Sequence, residues 1–273
     1  MKRVIDGYQE IAAIRMRKVR SSVLENRDFL EGLNDIHGQV KTIYHSQFGV
    51  LSTKKKTLRP TNGKTVSVLL SANTGLYGDI IRKTFDLFYT NVKESDTDVA
   101  IVGRYGRKFY EGSDLGKPFD YFDFSDSGRD VQNAKNLLEH ILLYESVIVY
   151  HGYFQDILSQ VPQKTSVTGK QLENPHNSSG KSGGNRVQYI FEPSIDSVIA
   201  FFEGEILTSI FEQSIFESSL SKFASRMISM DYASVNLKNS LKRTNFKLRK
   251  SKHRRSNVNQ LGTLSGISLW EVA

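Results

Sequence analysis

The feature that most constrains this chain is a long stretch with almost nothing in it to stop a helix. From residue 195 to about residue 260 there is no proline, and Gly204 is the only glycine. Proline and glycine are the residues that end helices, so the stretch reads as a single helix spanning roughly 90–100 Å. No small globular domain can bury a rod of that length. Phe223, Met227, Met230, Ser234, Leu237, Leu241, Thr244 and Leu248 follow alternating four- and three-residue steps. That is the heptad spacing that lays one narrow seam along a helix.

The first third of the chain carries the same pattern. Ala12, Met16, Val19, Val23, Leu30, Leu33 and Val40 fall on heptad steps, with Asn26 and His37 filling the two gaps. A polar residue such as His37 on a seam is expected to be buried and to fix register. The first proline is Pro60, and Thr61-Asn62-Gly63 follows it as a break. One helix at each end, each with one seam, predicts a long antiparallel coiled coil. Met227 and Met230, three residues apart on the stripe, belong to its core.

Between the helices the pattern changes. Strands are predicted over 65–71, 99–103, 146–150 and 186–191, and helices over 80–88 and 134–143. Strands alternating with helices imply a small α/β, Rossmann-like domain with a largely parallel sheet. The polar, glycine-rich segment 175–184 reads as a surface loop. The organisation is therefore an N-terminal coiled-coil helix over 1–59, an inserted α/β domain over 60–194, and a C-terminal coiled-coil helix over 195–273.

Composition narrows the function. The 273 residues include no cysteine, which excludes disulfides and thiolate metal sites. No run of about 18 uncharged apolar residues offers a membrane span. The opening Met1-Lys2-Arg3-Val4-Ile5-Asp6 lacks the apolar core of a signal peptide. A cytoplasmic protein is the expectation. The six histidines, at 37, 45, 140, 151, 176 and 253, never recur at ligand spacing, so no metal site is expected. Residues 71–79 follow a strand and precede a helix, as phosphate-binding turns do. The G-x-G-x-x-G spacing is absent, and a tight turn is the better reading. Gly180-Lys181-Ser182 ends like a phosphate loop, but Pro175 stands where its first glycine belongs. No catalytic residue and no cofactor are predicted.

The net charge is +8, and the excess is concentrated. Between Asp231 and Glu271 there is no acid, while Lys238, Lys242, Arg243, Lys247, Arg249, Lys250, Lys252, Arg254 and Arg255 fall in that interval. Three readings are open: a solvated helix face, a nucleic-acid contact, or a contact with an acidic protein surface. Only Phe246 is interleaved where single-strand binding would use several aromatics.

Several segments, in order along the chain, resemble one family. Glu10-Ile11-Ala12-Ala13-Ile14-Arg15-Met16-Arg17 is similar to its Met-Val-Ala-Ala-x-Lys-Leu-Arg. Leu70-Ser71-Ala72-Asn73-Thr74-Gly75-Leu76-Tyr77-Gly78 resembles its Thr-Ser-Asp-x-Gly-Leu-Cys-Gly-Gly turn, and Val102-Gly103-Arg104-Tyr105-Gly106-Arg107 its Val-Gly-Arg-Lys-Gly-Arg. Tyr189-Ile190-Phe191-Glu192-Pro193-Ser194 resembles Tyr-x-Phe-Glu-Pro-Ser. Ser225-Arg226-Met227-Ile228-Ser229-Met230-Asp231-Tyr232-Ala233-Ser234 is similar to Ala-Arg-Met-x-Ala-Met-Asp-x-Ala-Thr. The family is the gamma subunit of the F-type ATP synthase.

The resemblance implies a noncatalytic central-stalk rotor that couples ion flow through a membrane c-ring to ATP synthesis or hydrolysis in an alpha/beta hexamer. The implied partners are the alpha, beta and epsilon subunits and the c-ring, with no nucleic acid. The implied place is the cytoplasmic face of the bacterial plasma membrane, as a peripheral protein. Rotor–stator contacts are expected at Lys247, Arg249, Lys250, Arg254, Arg255, Leu261 and Trp270, with Leu261 and Trp270 in an apolar collar at the far end of the hexamer. The coiled-coil seam is expected at Met16, Val19, Val23, Met227, Met230, Leu237 and Leu241. The chain departs from the pattern in starting its first helix later by about four turns. It also has Asp79 where the turn has a further glycine, and no acid in 252–260. A basic helical-hairpin nucleic-acid binder, or the rotor of a specialised hydrolytic relative, are the alternatives.

Overall fold

A computed structural model describes residues 2–48, 61–124, 126, 131–167, 192 and 194–270. Helix α1 runs Lys2–Phe48 and helix α5 runs Ile195–Trp270, 47 and 76 residues long. At helical rise α5 spans about 114 Å.

Between them lie β1 (Thr65–Leu70), α2 (Ile80–Glu94), β2 (Asp98–Val102), α3 (Arg104–Glu111), β3 (Phe119–Phe122), α4 (Val131–Ile141), β4 (Ser146–Phe154) and β5 (Gln160–Ser166). The five strands form one sheet in the order β3-β2-β1-β4-β5. All pairs are parallel except β4 with β5, which is an antiparallel hairpin.

Strand alternation sorts the core into two layers. Val66, Val68, Leu70, Val147 and Val149 face α4 and α5, where Leu137, Ile141, Leu207, Phe211 and Ile215 cover them. Leu69, Val99, Ile101 and Tyr150 face the other way, under Phe88, Val92 and Tyr110 of α2 and α3. A sheet buried on both faces needs apolar residues at consecutive positions, as the TVSVLL and DVAIV strands supply.

Three elements escape sequence reading. β5 contains Pro162, which a central strand excludes but an edge strand accepts. β3 has only four residues, also at an edge. α3 is eight residues long with Gly106 in its middle, too short and polar for a periodicity signal. The strand expected over 186–191 and the loop over 175–184 lie outside the described residues. So do the side chains beyond residue 265, Trp270 among them. No helix among the described residues is long and apolar enough to cross a membrane.

Candidate functional site

The two terminal helices pack antiparallel along the predicted seam. On α1, Ala12, Val23, Leu33, His37 and Val40 are buried, and Met16, Val19, Asn26 and Leu30 half-buried. His37 stacks against Phe202 with ring centroids 6.1 Å apart, as expected of a buried seam residue. Asn26 Nδ2 donates to Ser209 O and Gln213 Oε1, both at 3.1 Å. Arg27 pairs with Glu217 at 2.7 Å, and that hydrogen bond raises the guanidinium pKa despite partial burial. Val40 clusters with Ile195 and Ile199, while Met16 and Val19 pack against the cluster that contains Phe223. Extending that antiparallel register brings the start of α1 opposite the region of Leu237.

The seam on α5 ends there. Met230 is buried and Met227 and Leu237 are half-buried, but Leu241 is 46% exposed. Leu241 is therefore not part of the intrachain seam. Beyond Leu237 every side chain described, to residue 265, is exposed. The heptad pattern continues through Leu241 and Leu248, but among the described residues no second helix faces it.

A dense polar cluster forms where α5 crosses the sheet. Helices α2 and α3 lie on one face and α4 on the other, so the topology switches between β1 and β4. In open α/β sheets the crevice at the carboxyl ends of such strands is where ligands bind. Here one turn of α5 fills it. Gly152 of β4 lies so close that a Cβ there would stand 2.7 Å from Ser221 Oγ. Lys222 Nζ donates to Ser71 O at 3.1 Å and stands 3.6 Å from Asp126 Oδ1, both residues being buried. Ser225 Oγ donates to Tyr77 O at 2.7 Å. Arg226 donates to Gly75 O at 2.6 Å and to Thr74 Oγ1 at 3.0 Å, with its guanidinium 3.9 Å above the Tyr77 ring.

Asp126 gathers the turn from below. Its carboxylate accepts from Asn73 N and Thr74 N, both at 2.9 Å, from Thr74 Oγ1 at 2.6 Å and from Tyr77 OH at 3.0 Å. Burial alone would push this carboxyl up. Lys222 and the Thr74 and Asn73 donors outweigh burial and hold it below the usual carboxylate range. Burial pulls Lys222 down, and Asp126 works against that. Burial is also the main reason that the Tyr77 phenol is pushed up to about 12. Gly78, with φ +61°, closes the turn, and a Cβ there would meet Ser225 Oγ at 2.7 Å.

Two of the sequence motifs thus meet face to face: the glycine turn after β1 and the Arg226-Met227 segment of α5. The turn has no open phosphate cradle, since α5 occupies its mouth. Sequence reading missed Asp126 and Lys222. A signal existed for Lys222. From Phe211 to Ile228 the only charged residues are Glu212, Glu217, Lys222 and Arg226, set in serines and large apolar residues, and a cation in such surroundings needs a partner. The basic residues Lys247, Arg249, Lys250, Arg254 and Arg255 are exposed, as is Leu261 at 64%.

A family model described as ATP synthase matches residues 1–260. The ATP synthase gamma chain of Halothermothrix orenii is 24% identical over 247 residues, covering 86% of this chain and 82% of that one. That of Amoebophilus asiaticus is 24% identical over 252 residues, covering 88% and 84%. The fold matches the central stalk and c-ring structure of the Tetrahymena thermophila mitochondrial ATP synthase with a TM-score of 0.55 at 18% identity, over 85% of this chain and 99% of that one. A chain of the Euglena gracilis mitochondrial enzyme matches with a TM-score of 0.55 at 12% identity, over 93% of each. The seam, the inserted sheet, the ordered motifs and a match over nearly the whole length agree: the chain belongs to the ATP synthase gamma-subunit family.

Proposed function

We propose that this chain is the noncatalytic central rotor of a rotary ATP synthase, with 60–194 as foot and 1–59 and 195–273 as shaft. One observation carries the reading. A single 76-residue helix is anchored in a sheet over its first half and stands bare over its second. Such a helix transmits motion between two bodies. The foot joins the epsilon subunit and the c-ring, and the bare half enters the alpha/beta hexamer. Attachment to a bacterial plasma membrane, at its cytoplasmic face, is peripheral and runs through the complex.

Lys247, Arg249, Lys250, Arg254 and Arg255 supply a positive collar facing acidic surfaces of the hexamer. Exposed ion pairs are each worth about 0–1 kcal/mol, weak enough to exchange as the shaft turns. The apolar tail with Leu261 and Trp270 seats in a collar at the far end. The test is reconstitution with alpha, beta, epsilon and c subunits in vesicles. ATP-driven ion uptake should depend on this chain, and should fall when Lys250, Arg254 and Arg255 are each changed to Glu. Steeply salt-dependent DNA binding by the free chain, lost in that variant while pumping is unchanged, would favour a nucleic-acid role instead.

A further inference from the structure

We propose that Asp126, acting through Lys222 and through the Thr74 turn that receives Arg226, is a positioning residue that sets the rotational register of α5 in the foot. The proposal rests on the rotor reading above. Two kinds of contact hold α5 to the sheet. Leu207, Phe211 and Ile215 pack on β1 and β4 through apolar surface. Such contact is non-directional and resists separation more than it resists a small turn about the helix axis. About two turns further on, the contacts become directional. Lys222, Ser225 and Arg226 bond four different atoms of the turn: Ser71 O, Tyr77 O, Gly75 O and Thr74 Oγ1. Those bonds depend on angle as well as distance, so they define one azimuth for the helix.

Asp126 makes that azimuth a property of the foot. It receives two backbone N–H groups and two hydroxyls from the turn and faces Lys222 at 3.6 Å. Without it the turn loses four hydrogen bonds and Lys222 loses the carboxylate that it faces. Stability does not explain the arrangement, because a buried ion pair is often no better than apolar residues of the same volume. Fixing register is the best-attested use of such a pair. The position is also apt. The cluster lies at the level of Met16 and Val19 on α1, close below the end of the paired shaft, so an angular error there is carried along all the bare helix beyond.

The experiment uses the reconstituted complex and reads ions pumped per ATP hydrolysed. Asp126→Asn keeps the size of the side chain and removes its charge. Because this single change leaves Lys222 unmatched, Asp126→Asn combined with Lys222→Met is measured beside it, with Tm of the free chain for all three proteins. Ions pumped per ATP should fall about two- to tenfold in both variants, while the double variant keeps a Tm at or near that of the unchanged chain. Lys222→Arg, which keeps the charge, should retain pumping. Normal pumping per ATP in the double variant, or loss that tracks Tm alone across the series, overturns the proposal. If the unchanged chain itself supports no pumping, the rotor reading fails, a result distinct from either.

Discussion

The two halves of α5 are one helix under opposite rules. From Ile206 to Arg226 most side chains are buried, and small ones recur: Ser209, Ser214, Ser218, Ser219, Ser221 and Ser225. Small residues let the helix lie close to a sheet and to α1 at once, as Ser221 against Gly152 illustrates. From Lys238 to residue 265 every side chain is exposed, and the charges carry one sign. The inner half is held by packing and tolerates little. The outer half is held by backbone hydrogen bonds and helix propensity, and isolated helices on those terms are marginal. Its persistence as a rod therefore depends on what surrounds it.

The sharpest way to break this contrast is to make the same substitution on both sides. Phe211 is fully buried, whereas Phe246 is 70% exposed. Phe211→Ala should destabilise the full chain by about 3–5 kcal/mol in urea unfolding. Phe246→Ala should stay within about 0.5 kcal/mol. Similar losses at both sites would mean that the outer half is packed in the free chain.

The next test adds volume at the tightest contact. A Cβ at position 152 would stand 2.7 Å from Ser221 Oγ and 3.0 Å from Ile80 Cγ1. Gly152→Val should cost about 1–3 kcal/mol. Combining it with Ser221→Gly should recover part of that loss. No recovery would show that the strain falls on Ile80 and α2, not on α5.

Acid should act first on the sheet that holds the inner half. His151 is buried, bonded to Thr165 Oγ1 at 2.9 Å, with Gly152 O at 3.2 Å from its Nδ1. Burial lowers its pKa from the ordinary 6.5, against the opposing pull of Glu217. The unfolded chain therefore takes up a proton near pH 6.5 that the folded chain refuses. The stability contribution is complete above pH 6.5 and is lost as pH falls below it, by about 1.4 kcal/mol per pH unit until the folded value is reached. His151→Gln should flatten that slope. Asp126, held below its ordinary 3.8, contributes the same sign in a more acid window. A variant with an unchanged slope between pH 6.5 and 5 would remove His151 from the account.

Much of the architecture is legible in the sequence because long helices and buried parallel strands have strong periodic signatures. Every seam position assigned on α1 is buried or half-buried in the structure. The losses have physical causes. Edge strands such as β3 and β5 bury little and admit proline, so neither hydrophobicity nor propensity marks them. The register cluster was not legible because Asp126 is separated by 96 residues from Lys222. Its acid lies in a segment that carries no pattern, and only the crossing of α5 over the sheet brings the two together. Leu241 shows the converse failure. A heptad pattern states that a helix has an apolar seam, not that its own chain supplies the partner.

That distinction yields the smallest expected effect, and it separates intrachain from interchain seam. Met230 is 5% exposed, Leu237 half-buried and Leu241 46% exposed, on one continuing stripe. In the free chain, Met230→Ala should cost about 2–5 kcal/mol. Leu237→Ala should cost less than that. Leu241→Ala should fall within about 0.5 kcal/mol, because half the side chain already meets water and no facing helix is lost. The gradient should flatten inside the assembled complex if a partner covers the stripe. There, the Leu241 variant should dissociate from the hexamer more readily than the unchanged chain, although it is as stable alone. A Leu241 variant as destabilised in isolation as the Met230 variant would place a facing element opposite Leu241 in the free chain, and α5 would no longer divide where α1 begins.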